Sequence, residues 1–328
     1  MLRGVPEADA STDPPAAPIT PAPDAPFFVV LNAGSGAAGG AAAQAAIASV
    51  FAAAGREHRM LVVDDPRQLQ ASADEAVALA RASGGIVVAS GGDGTLNTVA
   101  QAVLGSDCLF GVVPRGTFNY FGRAHGIPAD PAAATRLLLA SRAHPVQVGL
   151  VNERLFLVNA SLGLYPQLLQ DREAWKRRLG RSRVVAFGAA LATLLRGHRR
   201  LRLRIEHRGR SHDLRTPTLF VGNNRLQMEQ IGTAQAFTEG RLAGIVLRRV
   251  GIGGMLWLIL RGALARLGEA DNVISFGFDS LTVAMPRFIG RRNLKVATDG
   301  EVTRLELPLT FRISPEPLWL LKPDDETR

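Results

Sequence analysis

The sequence predicts an α/β protein: an N-terminal doubly wound parallel-sheet domain followed by a C-terminal, mainly antiparallel β-sandwich domain. Three observations point there. From Pro26 to about Gln147, short apolar runs alternate with helix-patterned segments at the spacing of β–α units. Three of those runs end in glycine-rich turns, and ligands of such sheets bind at the carboxyl ends of the strands. After Gln147 the texture changes to short β-type runs separated by turns.

In chain order, Phe27–Asn32 is an apolar strand that runs into Ala33-Gly34-Ser35-Gly36. The alanine-rich segment Gly40–Ala54 is a helix closed by Gly55. Arg59–Val63 is a second strand, and Asp64-Asp65-Pro66 opens a helix reaching about Ala82. Gly85–Ala89 is a third strand ending in Ser90-Gly91-Gly92-Asp93-Gly94-Thr95, before a short helix Leu96–Leu104. Leu109–Val113 is a fourth strand ending in Pro114-Arg115-Gly116-Thr117. The β-type runs of the second domain are Arg154–Val158, Leu201–Glu206, Thr218–Val221, Gly244–Arg248, Ser280–Met285, Leu294–Ala297 and Arg304–Leu307. Helical segments Trp175–Arg196 and Gly254–Leu267 interrupt them. The expected division is a disordered tail over 1–25, an α/β domain over 26–147 and a β-rich domain over 148–328, whose final segment is open to rejoining the first domain.

Composition narrows the function. A 47% hydrophobic share with 20% charged residues supports a packed core across 328 residues. The net charge of +9 favours anionic partners. The single cysteine, Cys108, excludes an internal disulfide and reads as a buried strand thiol. The six histidines are scattered without zinc-binding spacing. No apolar stretch approaches the roughly 20 residues of a membrane span, so the expectation is a cytoplasmic protein. With 6% aromatics and no recognised binding motif, nucleic acid is not expected as a partner.

The chemistry concentrates in the turns. Glycines let backbone N–H groups approach phosphates closely, and a following helix N-terminus favours negative charge. Gly91-Gly92-Asp93-Gly94-Thr95, joined by Asn32–Gly36 and Pro114–Asn119 on one sheet edge, reads as a nucleotide site, although no GxxxxGK[ST] loop is present. Asp299-Gly300-Glu301 places two carboxylates on a glycine turn, where both can face one cleft. The bland alternative is a β-turn with solvated acids. Basic residues Lys176, Arg177, Arg178, Arg181 and Arg183 precede the apolar helix Val184–Leu195, and His198, Arg199 and Arg200 follow it; the pattern fits a solvated face or an interfacial patch attracted to anionic lipid head groups.

With these motifs in order, the chain resembles the diacylglycerol kinase catalytic-domain family, which holds bacterial lipid kinases and, more distantly, sphingosine and ceramide kinases; its fold is related to NAD kinases and phosphofructokinases. The carriers are Asn32–Gly36, Ser90–Asn97, Pro114–Phe121, Val151–Ser161, Val221–Asn224 and Thr298–Glu301. The resemblance implies ATP bound by Asn32, Gly34, Ser35, Gly36, Gly91, Gly92, Gly94, Thr95, Asn97 and Thr117, with Asp93 near the phosphates and Mg²⁺. It implies Asp299 and Glu301 as the catalytic pair and a structural magnesium at Glu239 with the carbonyls of Ala236 and Arg241. The chain departs from the family pattern at Thr98, Tyr120 and Gln147, where members carry acids. The expected activity is phosphorylation of a lipid hydroxyl, diacylglycerol first, by a protein peripheral to the inner leaflet. An NAD-kinase-like enzyme and a lipid-binding pseudokinase are the competing readings, and a homodimer is left open.

Overall fold

The computed structural model describes residues 16–34, 39–163, 201–207, 210–230, 240–247, 273–285 and 292–324. The expected helices Trp175–Arg196 and Gly254–Leu267, with the basic cluster beside the first, lie outside them.

The first domain is built on strands β1 (Phe27–Asn32), β2 (His58–Val63), β3 (Ile86–Gly91) and β4 (Leu109–Pro114), all parallel. Val87, Val88, Val112 and Val113 are fully buried, as strands covered on both faces require. Helices α1 (Gly40–Ala53) and α2 (Leu69–Ser83) turn one stripe each inward: Ala43, Ile47 and Phe51 from α1; Leu69, Ala73, Ala76 and Ala80 from α2. Gly84 ends α2 in the left-handed conformation (φ 65°), which glycine adopts without strain. Helix α3 (Asp93–Val103) starts three residues before the expected Leu96. Asp93, Gly94 and Thr95 therefore form its first turn, where backbone N–H groups lack partners within the helix. Helix α4 (Tyr120–Ala124) follows β4, and α5 (Pro131–Ala140) is capped by Asp130, whose Oδ1 accepts from Ala133 N at 2.8 Å.

The sheet is not wholly parallel. β5 (Arg142–Val146) runs antiparallel at its edge. Between β5 and β4 lies the last strand of the chain, giving the order β2-β1-β3-β4-β18-β5, with β18 at Leu318–Lys322. The expected disordered tail also ends earlier than residue 25: Ile19 pairs with Ala143 through two 2.8 Å backbone hydrogen bonds.

The second domain stacks two six-stranded antiparallel sheets. One holds β6 (Gly149–Val151), β7 (Arg154–Phe156), β9 (Leu201–His207), β10 (Arg210–Thr216), β14 (Ser280–Ala284) and β17 (Leu309–Ile313). The other holds β8 (Asn159–Gly163), β11 (Thr218–Gly222), β12 (Leu242–Leu247), β13 (Val273–Phe278), β15 (Asn293–Thr298) and β16 (Glu301–Glu306). Phe156, Leu281, Val283 and Phe311 from one sheet meet Leu162, Val221 and Val296 from the other in a shared core. Helix α6 (Arg225–Gln230) lies against the outer face of the second sheet, with Met228 buried.

The chain thus crosses between domains twice, from β5 to β6 and from β17 to β18. β18 packs in the first domain's core, with Leu320 fully buried. Leu320→Ala is expected to destabilise that domain by about 2–5 kcal/mol, read as a lower urea midpoint.

Candidate active site

The three glycine-rich turns are knitted into one surface. Asn32, at the end of β1, donates from Nδ2 to Thr95 Oγ1 at 3.0 Å and accepts from Gly34 N at 3.1 Å. Arg115 N donates to Gly91 O at 2.7 Å, and its guanidinium reaches Asn32 O at 3.3 Å. Gly116 N donates to Asn119 Oδ1 at 2.7 Å. A Cβ on Gly116 would stand 2.9 Å from Gly92 Cα, so the third turn approaches the second this closely only because residue 116 is glycine. Ser35 and Gly36 lie outside the described residues. Thr117 is exposed beside the surface.

Asp93 opens α3 with its carboxylate partly buried. It accepts from the backbone N–H groups of Phe121, Tyr120 and Asn119, yet Oδ1 is buried without a hydrogen-bond partner. Burial raises its pKa above the ordinary 3.8, and those amides oppose the rise. An orphaned carboxylate oxygen beside a phosphate-type turn is a fitting ligand for Mg²⁺, which prefers oxygen donors. Tyr120 stands where the family has an acid, but its backbone N–H still serves Asp93. Its ring stacks on exposed Phe118 at 5.6 Å.

The second domain brings Asp299 and Glu301 to this surface in different states. Asp299 is held at φ 48°, in the left-handed region. Its Oδ2 accepts from Asn97 Nδ2 and Leu157 N, both at 2.7 Å. Its Oδ1 accepts from Val158 N and Asn159 N, both at 2.9 Å. Burial pushes the carboxyl up to about 6 against the pull of these four donors. Glu301 is more open: Oε2 lies 3.5 Å from Arg154 Nη2, and Oε1 faces Gly94, 3.1 Å from where a Cβ on that glycine would sit.

Asn97, expected at the nucleotide, is turned to the second domain. Its amide donates to Asp299 and to Leu155 O (3.1 Å), while Gln101 accepts from Leu155 N at 2.7 Å. One face of α3 is therefore bolted to β7 and to the Asp299 turn. Sequence reasoning passed over Arg154, which donates to Thr298 Oγ1 at 3.3 Å as well as pairing with Glu301. Nothing in its local pattern separates it from a surface arginine on a strand.

Of the expected second-domain magnesium ligands, only Arg241 belongs to the described residues. Glu239 and Ala236 lie outside the described residues. The carbonyl of Arg241 accepts, at 3.4 Å, from Gln147 Nε2, which also donates to Asn223 Oδ1 at 2.7 Å. At that carbonyl the neighbouring Gln147 presents its amide N–H.

Residues 26–151 match the model of the diacylglycerol kinase catalytic domain. Over those residues the chain is similar to that domain. The chain is 41% identical over 112 residues to the Pseudomonas aeruginosa (strain UCBPP-PA14) protein named "Probable lipid kinase YegS-like", which is 34% of this chain and 36% of that one. It is 30% identical over 196 residues to the Klebsiella pneumoniae (strain 342) protein of the same name, 57% of this chain and 63% of that one. These alignments span less than two thirds of either relative. A solved structure described as a diacylglycerol kinase from Bacillus anthracis str. Sterne aligns with a TM-score of 0.64 at 16% identity, over 92% of this chain and 97% of that one.

The Asp299 grip yields a test of the domain arrangement. Asp299→Ala strands four donors, and hydrogen bonds to a charged group contribute about 1.5–3 kcal/mol each. The variant is expected to lose at least about 3 kcal/mol of stability, measured by urea unfolding, together with protease resistance at the β7–β8 loop.

Proposed function

We propose that the chain is an ATP- and Mg²⁺-dependent lipid kinase with diacylglycerol as its leading substrate. The observation that carries this reading is the meeting of two lobes: an open carboxylate, Glu301, reaches the first turn of α3 at Gly94, beside a surface of backbone amides. The matched domain and the printed names of the relatives support the lipid side of the reading.

Phosphoryl transfer asks a protein for positioning and charge stabilisation more than for covalent chemistry. The amides of Gly91–Thr95 and the α3 N-terminus would hold the phosphate tail, with Asn32, Gly34 and Thr117 beside it. Asp93 would hold Mg²⁺ through Oδ1; the ion supplies neutralisation of phosphate charge when bound. The lipid hydroxyl oxygen bonds to the γ-phosphorus as the bond from phosphorus to the β,γ-bridging oxygen breaks. The hydroxyl proton passes to Glu301, and ADP leaves. Asp299 keeps its four donors throughout and fixes the turn that presents Glu301. Arg154 holds the Glu301 carboxylate toward the cleft.

The localisation follows from the substrate. A lipid acceptor requires contact with a membrane surface, and the +9 charge favours an anionic leaflet. Among the described residues, no helix is long and apolar enough to cross a membrane.

Incubation with labelled ATP, Mg²⁺ and dispersed lipids is expected to label diacylglycerol; labelling of NAD instead would overturn the reading. Glu301→Gln is expected to lower kcat by about 10²–10⁴-fold, the usual scale of general base catalysis, with ATP affinity and melting temperature unchanged. Gly92→Val is expected to weaken ATP binding in a calorimetric titration while the fold persists, because a Cβ there meets only Gly116, at an ordinary 3.4 Å from its Cα.

A further inference from the structure

A glycine inside a helix is less favourable than alanine, because its backbone gives up more freedom on folding. Gly94 sits in the first turn of α3, and its φ is not in the left-handed region that would require glycine. The other glycines of this stretch have reasons within the first domain. A Cβ on Gly91 would stand 2.5 Å from the side chain of Thr95, and one on Gly92 would stand 3.4 Å from Gly116 Cα. A Cβ on Gly94 would meet a different neighbour. Among the described residues, the only atoms within 4 Å of it outside α3 belong to Glu301 of the second domain: Oε1 at 3.1 Å and Cδ at 3.8 Å.

The carboxylate that fills this space has few other restraints. The Glu301 side chain is 56% exposed, and its Oε2 lies 3.5 Å from Arg154 Nη2. Asp299, two residues back, is fixed by its four donors, so the backbone that presents Glu301 is set. The carboxyl group itself lies between a cation on β7 and a bare stretch of helix. Even one methyl group at position 94 would meet Oε1 more closely than carbon and oxygen ordinarily pack, and would move the carboxylate by a few tenths of an ångström.

We propose that Gly94 is a positioning residue: the space left by its missing side chain is the seat of the Glu301 carboxylate, and Gly94 acts on phosphate transfer through that acid. This deepens the kinase reading and rests on it. The backbone N–H of residue 94 is present with any side chain that keeps the helix, so nucleotide binding does not depend on glycine here. Proton transfer does, because a reacting group must stand in line with its partner, and a misplacement of about 1 Å can cost about 10²-fold in rate.

The test uses the full-length protein, with dioctanoylglycerol in mixed micelles as acceptor and the β,γ-methylene analogue of ATP for binding. Gly94→Ala is expected to lower kcat about tenfold, less than the loss for a whole ångström, with affinity for the analogue unchanged. Glu301→Asp, one methylene shorter, is expected to lower kcat by itself. Adding Gly94→Ala to it is expected to cost nothing further, because the shorter acid no longer fills the space. An equal loss in both backgrounds would mean that Gly94 acts independently of Glu301, and would overturn the proposal. Weaker binding of the analogue with kcat preserved would make Gly94 a phosphate-approach glycine and overturn it too, as would no change in either quantity. A second readout needs no turnover. Gly94→Ala is expected to raise the melting temperature more in a Glu301→Ala protein than in wild type, since alanine favours the helix fully only where no carboxylate crowds it. That difference without phosphate transfer in wild type would keep the seat and overturn the kinase reading. Transfer without that difference would keep the kinase reading and overturn the seat. Absence of both would overturn the two together.

Discussion

A single carboxylate surrounded by N–H donors holds the two domains of this protein in register. Asp299 sits at the tip of the β15–β16 hairpin, and its oxygens collect three successive backbone amides from the start of β8 and the side-chain amide of Asn97. Asn97 belongs to α3, the helix whose first turn carries Asp93 and Gly94. One side chain therefore ties the second domain's hairpin to the first domain's helix. Burial disfavours the charge, and the donors offset that cost only while all four remain in place. The ionised form and the closed arrangement thus support each other.

The placement of the other groups depends on that tie. Glu301, two residues on, reaches Gly94 because the turn between them is pinned. Arg154, on the strand just before the amides that bind Asp299, completes the local charge balance. Asp93 is organised from the opposite side, by the amides at the start of α4. The two domains therefore contribute acids with distinct character: one locked, one open, and one with an orphaned oxygen. Environments that separate carboxylates in this way are how a fold gives chemically identical groups different tasks.

At the positions where the chain departs from the pattern it resembles, the structure shows what the side chains do instead. Tyr120 contributes through its backbone, which any residue supplies, and stacks its ring on Phe118. Thr98 turns back to Gly94 O within its own helix at 3.1 Å. Gln147 joins a neutral network with Asn223, whose Nδ2 donates to the carbonyls of Gln147 and Leu157. That network closes the junction where the chain first passes between domains.

The local pattern of the sequence was enough to determine the first domain's four parallel strands and the helices between them, though not α4, α5 or β5, because a buried parallel strand is a continuous apolar run and its helices carry a regular stripe. It also determined the three phosphate-type turns, since glycine at a strand end answers a local backbone need. The start of α3 escaped it, because glycines inside a first helical turn look like loop. Seven second-domain strands were visible as β-type runs, while β6, β8, β10, β13 and β17 were not, and the return of the final segment to the first domain, left open by the sequence, is made by β18. Only the tertiary structure decided that Asp299 is a clamp, that Glu301 is the open acid, and that Asn97 faces the other domain. Those properties arise from donors far apart in sequence that meet only when the two domains close, and no local spacing encodes which amides will surround a given carboxylate.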